Sequence, residues 1–194
     1  MRSEIALTAR KSCETNTTVN PRCFFSSPID PTDLAKDWGR SDDDQRHRLV
    51  VYGSINSPAE PGQSAWERFS HGFQVSSMVQ AYSALPYNIT SGVTTIQGTT
   101  GRPLVDGAFI PRNAGVGGDF FSVSLRLSRS FKLARRAEVE GTIESFNLTN
   151  RRNDTGRNTN FGPGTYPGSP VSTFGQITAV GDPRALQFAL RVRF

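Results

Sequence analysis

Three acidic side chains in a row, Asp42-Asp43-Asp44, offer the clustered oxygens that suit a calcium ion. The run lacks the glycine and distal glutamate of an EF-hand loop. It reads as a solvated loop whose carboxylates pair with Arg46 or Arg48. His47 and His71 fall on separate segments with no nucleophile motif near either, so a hydrolytic triad has little support. Glu138, Glu140 and Glu144 recur on one side of an alternating run. Paired carboxylates can do acid/base work, but alternating glutamates also mark a wetted surface. Phe161-Gly162-Pro163-Gly164-Thr165 is glycine-rich, yet it lacks the spacing and lysine of a phosphate loop. Cys13 and Cys23 either close a small disulfide loop in an oxidising compartment or stay free thiols. Without histidine neighbours they make a poor zinc site. The sequence therefore assigns no catalytic, cofactor-binding or metal-ligating residue, and the expectation is a protein that is not an enzyme and needs no cofactor.

The scaffold must then carry the function. The chain has 194 residues, 13 of them Phe, with 36% hydrophobic content and mean hydropathy −0.42. No window approaches the roughly 18–20 consecutive apolar residues of a membrane-crossing helix. Net charge is +5, but the basic residues are dispersed and no Lys/Arg run exceeds two, so no nucleic-acid partner is expected. The first residues carry no secretory signal, because the apolar stretch Ile5-Ala6-Leu7 is too short. Either the protein is not exported or its export signal lies elsewhere.

Helical periodicity is nearly absent. Asp30 to Lys36, with Asp30 as N-cap and Pro31 at the first helical position, predicts a turn or two inside a loop. Period-two alternation recurs five times. The runs are His47 to Ile55, Phe69 to Tyr82, Phe121 to Leu133, Ala137 to Phe146 and Ala185 to Phe194. In the third, Phe121, Val123, Leu125, Leu127, Phe131 and Leu133 alternate with polar residues, and only Arg129 breaks the apolar face. Ordinary strands average about 5–6 residues. Ten residues at about 3.3 Å each, tilted near 40°, cover about 25 Å, the height of a barrel's apolar band.

Connections alternate between short segments, around Ser57–Gly62 and Ala134-Arg135, and long polar ones, Ser83 to Gly118 and Asn147 to Pro183. An outer-membrane barrel expects this asymmetry, with short periplasmic turns and long loops outside. The predicted fold is all-β: an antiparallel up-and-down meander of about five or six strands, forming part of a transmembrane β-barrel with long extracellular loops. Residues 1–36 are expected to be a poorly structured N-terminal segment, and residues 37–194 the C-terminal part of the barrel. Val123, Leu125, Leu127, Val139, Ile143 and Leu186 are expected to face lipid. Trp66, Phe69, Phe131 and Phe194 would form an aromatic girdle at the short-turn end, and Tyr82, Tyr87, Phe120 and Phe121 one at the loop end. Five runs are too few to close a ring, and open edges are costly in lipid. The ring is expected to be completed by copies of the chain or by the rest of a larger barrel. The alternative is a soluble secreted β-sandwich binding module, which would bury the same residues against a second sheet.

Several segments have a familiar form. Ser41–Val50 looks like an "SDxDxRHRxV" strand start, Tyr82–Ile89 is similar to "QSGxPFxV", and Phe121–Arg129 is similar to "FxxxDLRLSR". Glu144–Asn150 resembles "EAFNLxNH", and Phe174–Thr178 and Asp182–Arg184 lead into the last run. Over residues 37 to 194 the chain resembles the C-terminal barrel of TonB-dependent outer-membrane receptors, in the Oar-like group with a carboxypeptidase-regulatory-like domain. The resemblance implies a place in the cell outer membrane and a role in substrate uptake or surface binding. The implied partners are outer-membrane lipid, the remainder of the barrel, a plug, and the TonB system through segments outside this chain. The last run, with Phe188, Leu190, Val192 and terminal Phe194 at alternate positions, resembles the signal read by the outer-membrane assembly machinery, a recognition that would proceed by strand addition at an exposed edge.

Overall fold

A computed structural model describes residues 28–30, 32–57, 64–65, 71–95, 98, 100–134 and 137–194. The strands in chain order are β1 (Arg48–Asn56), β2 (Phe73–Tyr82), β3 (Pro86–Tyr87), β4 (Leu104–Val105), β5 (Ala108–Phe109), β6 (Gly115–Val116), β7 (Phe120–Ala134), β8 (Ala137–Phe146), β9 (Asp154–Arg157), β10 (Ile177–Val180) and β11 (Ala185–Arg193). The five long ones form one antiparallel sheet in the order β1-β2-β7-β8-β11. These are the five alternating runs, with ends moved by one residue at most apart from the second. That one starts at Phe73, and the expected beginning at Phe69 lies outside the described residues, as do Trp66, both cysteines and the turn residues Arg135 and Arg136.

Register decides what the sheet presents. Leu49 pairs with Ala81, Val51 with Val79 and Ile55 with Val75. Val75 in turn pairs with Leu127, Val79 with Val123 and Ala81 with Phe121. Leu127 pairs with Ile143 and Phe131 with Val139. Phe188 pairs with Ile143 and Val192 with Val139. Directly opposed residues of an antiparallel pair lie on the same face, so all five apolar stripes coincide on one side. A slip of one residue in any pair would have scattered them. The other side collects Gln74, Ser76, Ser122, Ser124, Ser128, Glu140, Thr142 and Arg191.

The apolar side lies open. Leu125 is 36% exposed, Val192 53% and Leu190 73%. On the polar side the small residues Ser128 and Thr142 are buried among longer neighbours, while Arg126 and Arg191 stand open. A β-sandwich required the leucines and Val192 to be covered by a second sheet. The remaining strands instead make three separate two-stranded ribbons, β3–β6, β4–β5 and β9–β10, within the connections. The sheet itself is an unclosed arc with β1 and β11 at its edges.

The buried core lies away from the sheet. Ile89, Ile110 and Phe161 pack together, with Tyr87, Ala114, Tyr166 and Phe174 against them. All come from the two long connections, which leave the sheet at the same end. The loops therefore fold into a cap with an apolar centre, where the sequence reading expected only polar loops. The segment leading into β1 joins them. Its helical turn is a single 3-10 turn, Leu34–Asp37, capped by Asp33, whose carboxylate accepts from the Ala35 amide. The expected cap, Asp30, sits too early. It accepts from Thr32 and pairs with Lys36 at 2.7 Å, and these bonds hold its carboxyl well below the usual carboxylate range.

Candidate functional site

Three features of the described residues bear on function: the apolar face, the charged face and the loop-end rim.

On the apolar face the predicted lipid-facing residues Val123, Leu125, Leu127, Val139, Ile143 and Leu186 stand on β7, β8 and β11, all on one side by register. Leu125, Ile143 and Leu186 are exposed, and Val123, Leu127 and Val139 are half-buried among their neighbours. Phe188, Leu190 and Val192 continue this face along edge strand β11, and Phe194 follows, fully exposed. Arg129, the one charge in this face, lies between two rings, its guanidinium carbon 4.5 Å from the centroid of Phe73 and 4.7 Å from that of Phe131. A cation held against aromatic faces is attracted by their quadrupoles, so the side chain fits an otherwise apolar surface near the short-turn end.

The charged face carries a ladder. Register places Arg126 opposite Glu144, Arg191 opposite Glu140 and Arg193 opposite Glu138. Arg126 lies 3.4 Å from Glu144 and 3.9 Å from Glu140, while Arg193 lies 3.6 Å from Glu138 and 3.8 Å from Glu140. Arg191 reaches Glu140 as well, at 3.9 Å. Glu140 is therefore engaged by arginines of both neighbouring strands, Glu144 by Arg126 of β7 and Glu138 by Arg193 of β11. The sequence reading named the glutamates without these partners, although opposite charges at alternate positions in consecutive runs are visible in the sequence. Wetted pairs of this kind contribute at most about 1 kcal/mol each, and together they keep this face polar.

At the loop end, buried polar side chains fasten the cap to the strands. Arg102, almost fully buried, donates to Asp37 at 2.8 Å and to the Lys36 carbonyl, clamping the 3-10 turn. Asn113 donates to the Arg40 carbonyl and to Asp42. Asp42 also pairs with Arg112 at 2.7 Å, so its partner is not Arg46 or Arg48. The sequence could not show this, because the partners are 70 residues apart and meet only when the cap folds. Asn153 accepts from the Phe121 amide and donates to the Phe121 carbonyl, giving the first turn of β7 a side-chain partner. Asn147, buried at the exit of β8, donates to the Arg151 and Asp182 carbonyls. Asn147 and Asn150 both take positive φ, 46° and 51°, a conformation asparagine tolerates better than most residues. The Asn-Leu-Thr-Asn segment thus works as a strand terminator.

The rim itself holds a cavity of about 480 Å³ where β1, β2 and β7 meet the loops. Tyr82 and Phe120 stack there with centroids 5.3 Å apart. Arg48 lies 4.9 Å over Tyr82, and Arg151 pairs with Asp119 at 2.6 Å. That pairing holds the Asp119 carboxyl below its ordinary range. Arg151 and Asp119 were not singled out by the sequence reading. No helix among the described residues is long and apolar enough to cross a membrane, a fact that does not bear on strands.

An exposed apolar face backed by a charged one is what a membrane barrel wall needs, and comparison with known families agrees. The family described as an outer membrane beta barrel domain matches residues 6–109, more than half of the chain. The chain belongs to that family. It is an outer-membrane protein, and its five-stranded arc is barrel wall. No curated protein and no solved structure matches it.

Proposed function

We propose that this outer-membrane barrel segment belongs to a TonB-dependent receptor of the Oar-like group, serving uptake or surface binding of a substrate too large for passive diffusion. The observation that carries the reading is the unclosed sheet: among the described residues, five strands with a charged face and two edges without a partner strand, which lipid tolerates only when further strands complete the ring. The folded loop cap supports it as well, since a packed lobe over the outer end gives a surface on which a ligand can be held. In this reading Leu125, Ile143 and Leu186 touch hydrocarbon, and the Arg126–Glu140–Arg193 ladder faces a plug. β11 with Phe188, Leu190, Val192 and Phe194 is the edge read by the assembly machinery. The segment performs no catalysis and binds no nucleic acid, and contact with the TonB system belongs to other parts of the receptor. A photocrosslinker placed at Ser128 or Thr142 in the native outer membrane tests this. Crosslinks to a globular plug segment support the receptor. Capture of lipid, or of no protein at all, would contradict it.

A further inference from the structure

β11 is open along its whole length. Every residue from Ala185 to Arg193 is exposed, and among the described residues no strand lies on its far side. Its charged face carries Arg191 and Arg193, and the signs on that face alternate from strand to strand. One row in register runs Lys132 on β7, Glu138 on β8 and Arg193 on β11, and the next runs Ser130, Glu140 and Arg191. The carboxylates lie low and the guanidiniums stand out. The Glu140 side chain is 16% exposed, those of Arg191 and Arg193 64% and 58%. Their contacts are loose, from 3.6 to 3.9 Å, and Glu140 is shared by Arg126, Arg191 and Arg193. The edge therefore carries more positive charge than β8 neutralises.

Strand direction limits what can lie against this edge. Every neighbouring pair in β1-β2-β7-β8-β11 is antiparallel, so β1 and β11 run the same way across the wall. A second copy of this sheet, with its loop cap on the same side of the membrane, would bring its β1 to β11 as a parallel pair, and outer-membrane walls are antiparallel. Setting β11 against β11 of a copy would restore the antiparallel pairing but turn one cap to the opposite side of the membrane. We infer that the partner of the β11 edge is a different wall strand, running opposite to β11, with carboxylates facing Arg191 and Arg193 and apolar residues facing Phe188, Leu190 and Val192. Backbone pairing gives such a strand its hold, and the alternate side chains give it specificity. Opposite charges directly across a strand pair stabilise it and like charges weaken it, so the alternation Lys132–Glu138–Arg193 calls for an acid in the next place. The inference rests on the reading of the sheet as a wall that further strands complete.

The test uses the full chain in zwitterionic micelles and two fluorescent ten-residue peptides of alternating Val and Thr. One carries Glu at two successive Thr positions and the other Lys there, and each has a photoreactive group at its centre. Anisotropy gives the affinities, and mapped crosslinks show which strand the peptide joins. The Glu peptide is expected to join β11 and to bind at least about fivefold more tightly than the Lys peptide. Arg191→Gln/Arg193→Gln makes the two peptides equal while both still bind. Arg191→Glu/Arg193→Glu reverses the order, and tighter binding of the Lys peptide is a gain that misfolding cannot imitate. Equal affinities for the unaltered chain, a preference that survives the Glu variant, or crosslinks confined to β1 overturn the acidic partner and leave the unclosed wall standing. If neither peptide joins either edge, the reading of the sheet as an incomplete wall fails with it.

Discussion

Leu125 and Ser124 are neighbours in sequence and point to opposite sides of β7, so they report separately on the two environments. Leu125 is opposed by Ser77 and Ser145 on the apolar face, and Ser124 by Met78 on the polar face. Replacing Leu125 by Arg should cost about 2–4 kcal/mol of folding stability in a bilayer, because a guanidinium near mid-membrane loses its water. Ser124→Arg should cost a small fraction of that. Urea unfolding in lipid vesicles measures both, and equal effects would show that the two faces see the same solvent. Arg129 looked like a defect when read along the chain. Its meaning emerges only with Phe73 paired across the strand and Phe131 two positions on, which together give the cation a place. Asp119 offers a pH test. Its folded carboxyl is depressed by Arg151, so the ion pair is intact above the ordinary carboxylate value of 3.8 and is lost as pH falls through the lowered one. A carboxyl NMR titration should place the Asp119 midpoint lower in the native chain than in Arg151→Gln, and coincident midpoints would deny the coupling.

At the level of elements, the strands were legible and the cap was not. Alternation is a local signal. Phe121, Val123, Leu125 and Leu127 announce their face without reference to any partner, and β8 starts and ends where the pattern does, at Ala137 and Phe146. The cap depends on contacts far apart in the chain. Arg102 meets Asp37 across 65 residues, and Phe161 packs on Ile89 and Ile110 from a separate connection. No periodicity records such pairings. Gly115 is required by packing of the same kind, since a Cβ there would lie 2.4 Å from the Tyr87 ring. The elements also differ in how they should fail. Arg102→Ala removes the partner of a carboxylate in a buried pair, which typically costs about 3–5 kcal/mol. The loss should fall on the cap. Hydrogen exchange should quicken at residues 100–113 while β7 and β8 keep their protection. Uniform loss of protection across the sheet would mean that cap and wall are one cooperative unit.

For the whole molecule, the arrangement inverts that of a water-soluble sheet, with the large apolar side chains of one whole face left open. That inversion, with membership of the outer membrane beta barrel family, accounts for a chain of modest hydrophobicity whose largest apolar surface is unprotected. The family resemblance seen over residues 37 to 194 rests largely on segments that turn out to end strands or fasten loops, such as Asp42 held by Arg112 and Asn113 and Asn147 at the exit of β8. The most direct measurement is a nitroxide scan of positions 121 to 127 in the full chain, with Cys13 and Cys23 replaced by Ser, reconstituted in lipid vesicles. Collisions with oxygen, which concentrates in hydrocarbon, should peak at 121, 123, 125 and 127, and collisions with a water-soluble nickel chelate at 122, 124 and 126. A flat profile, or one with the two quenchers exchanged, would contradict the assignment of the apolar face to the membrane.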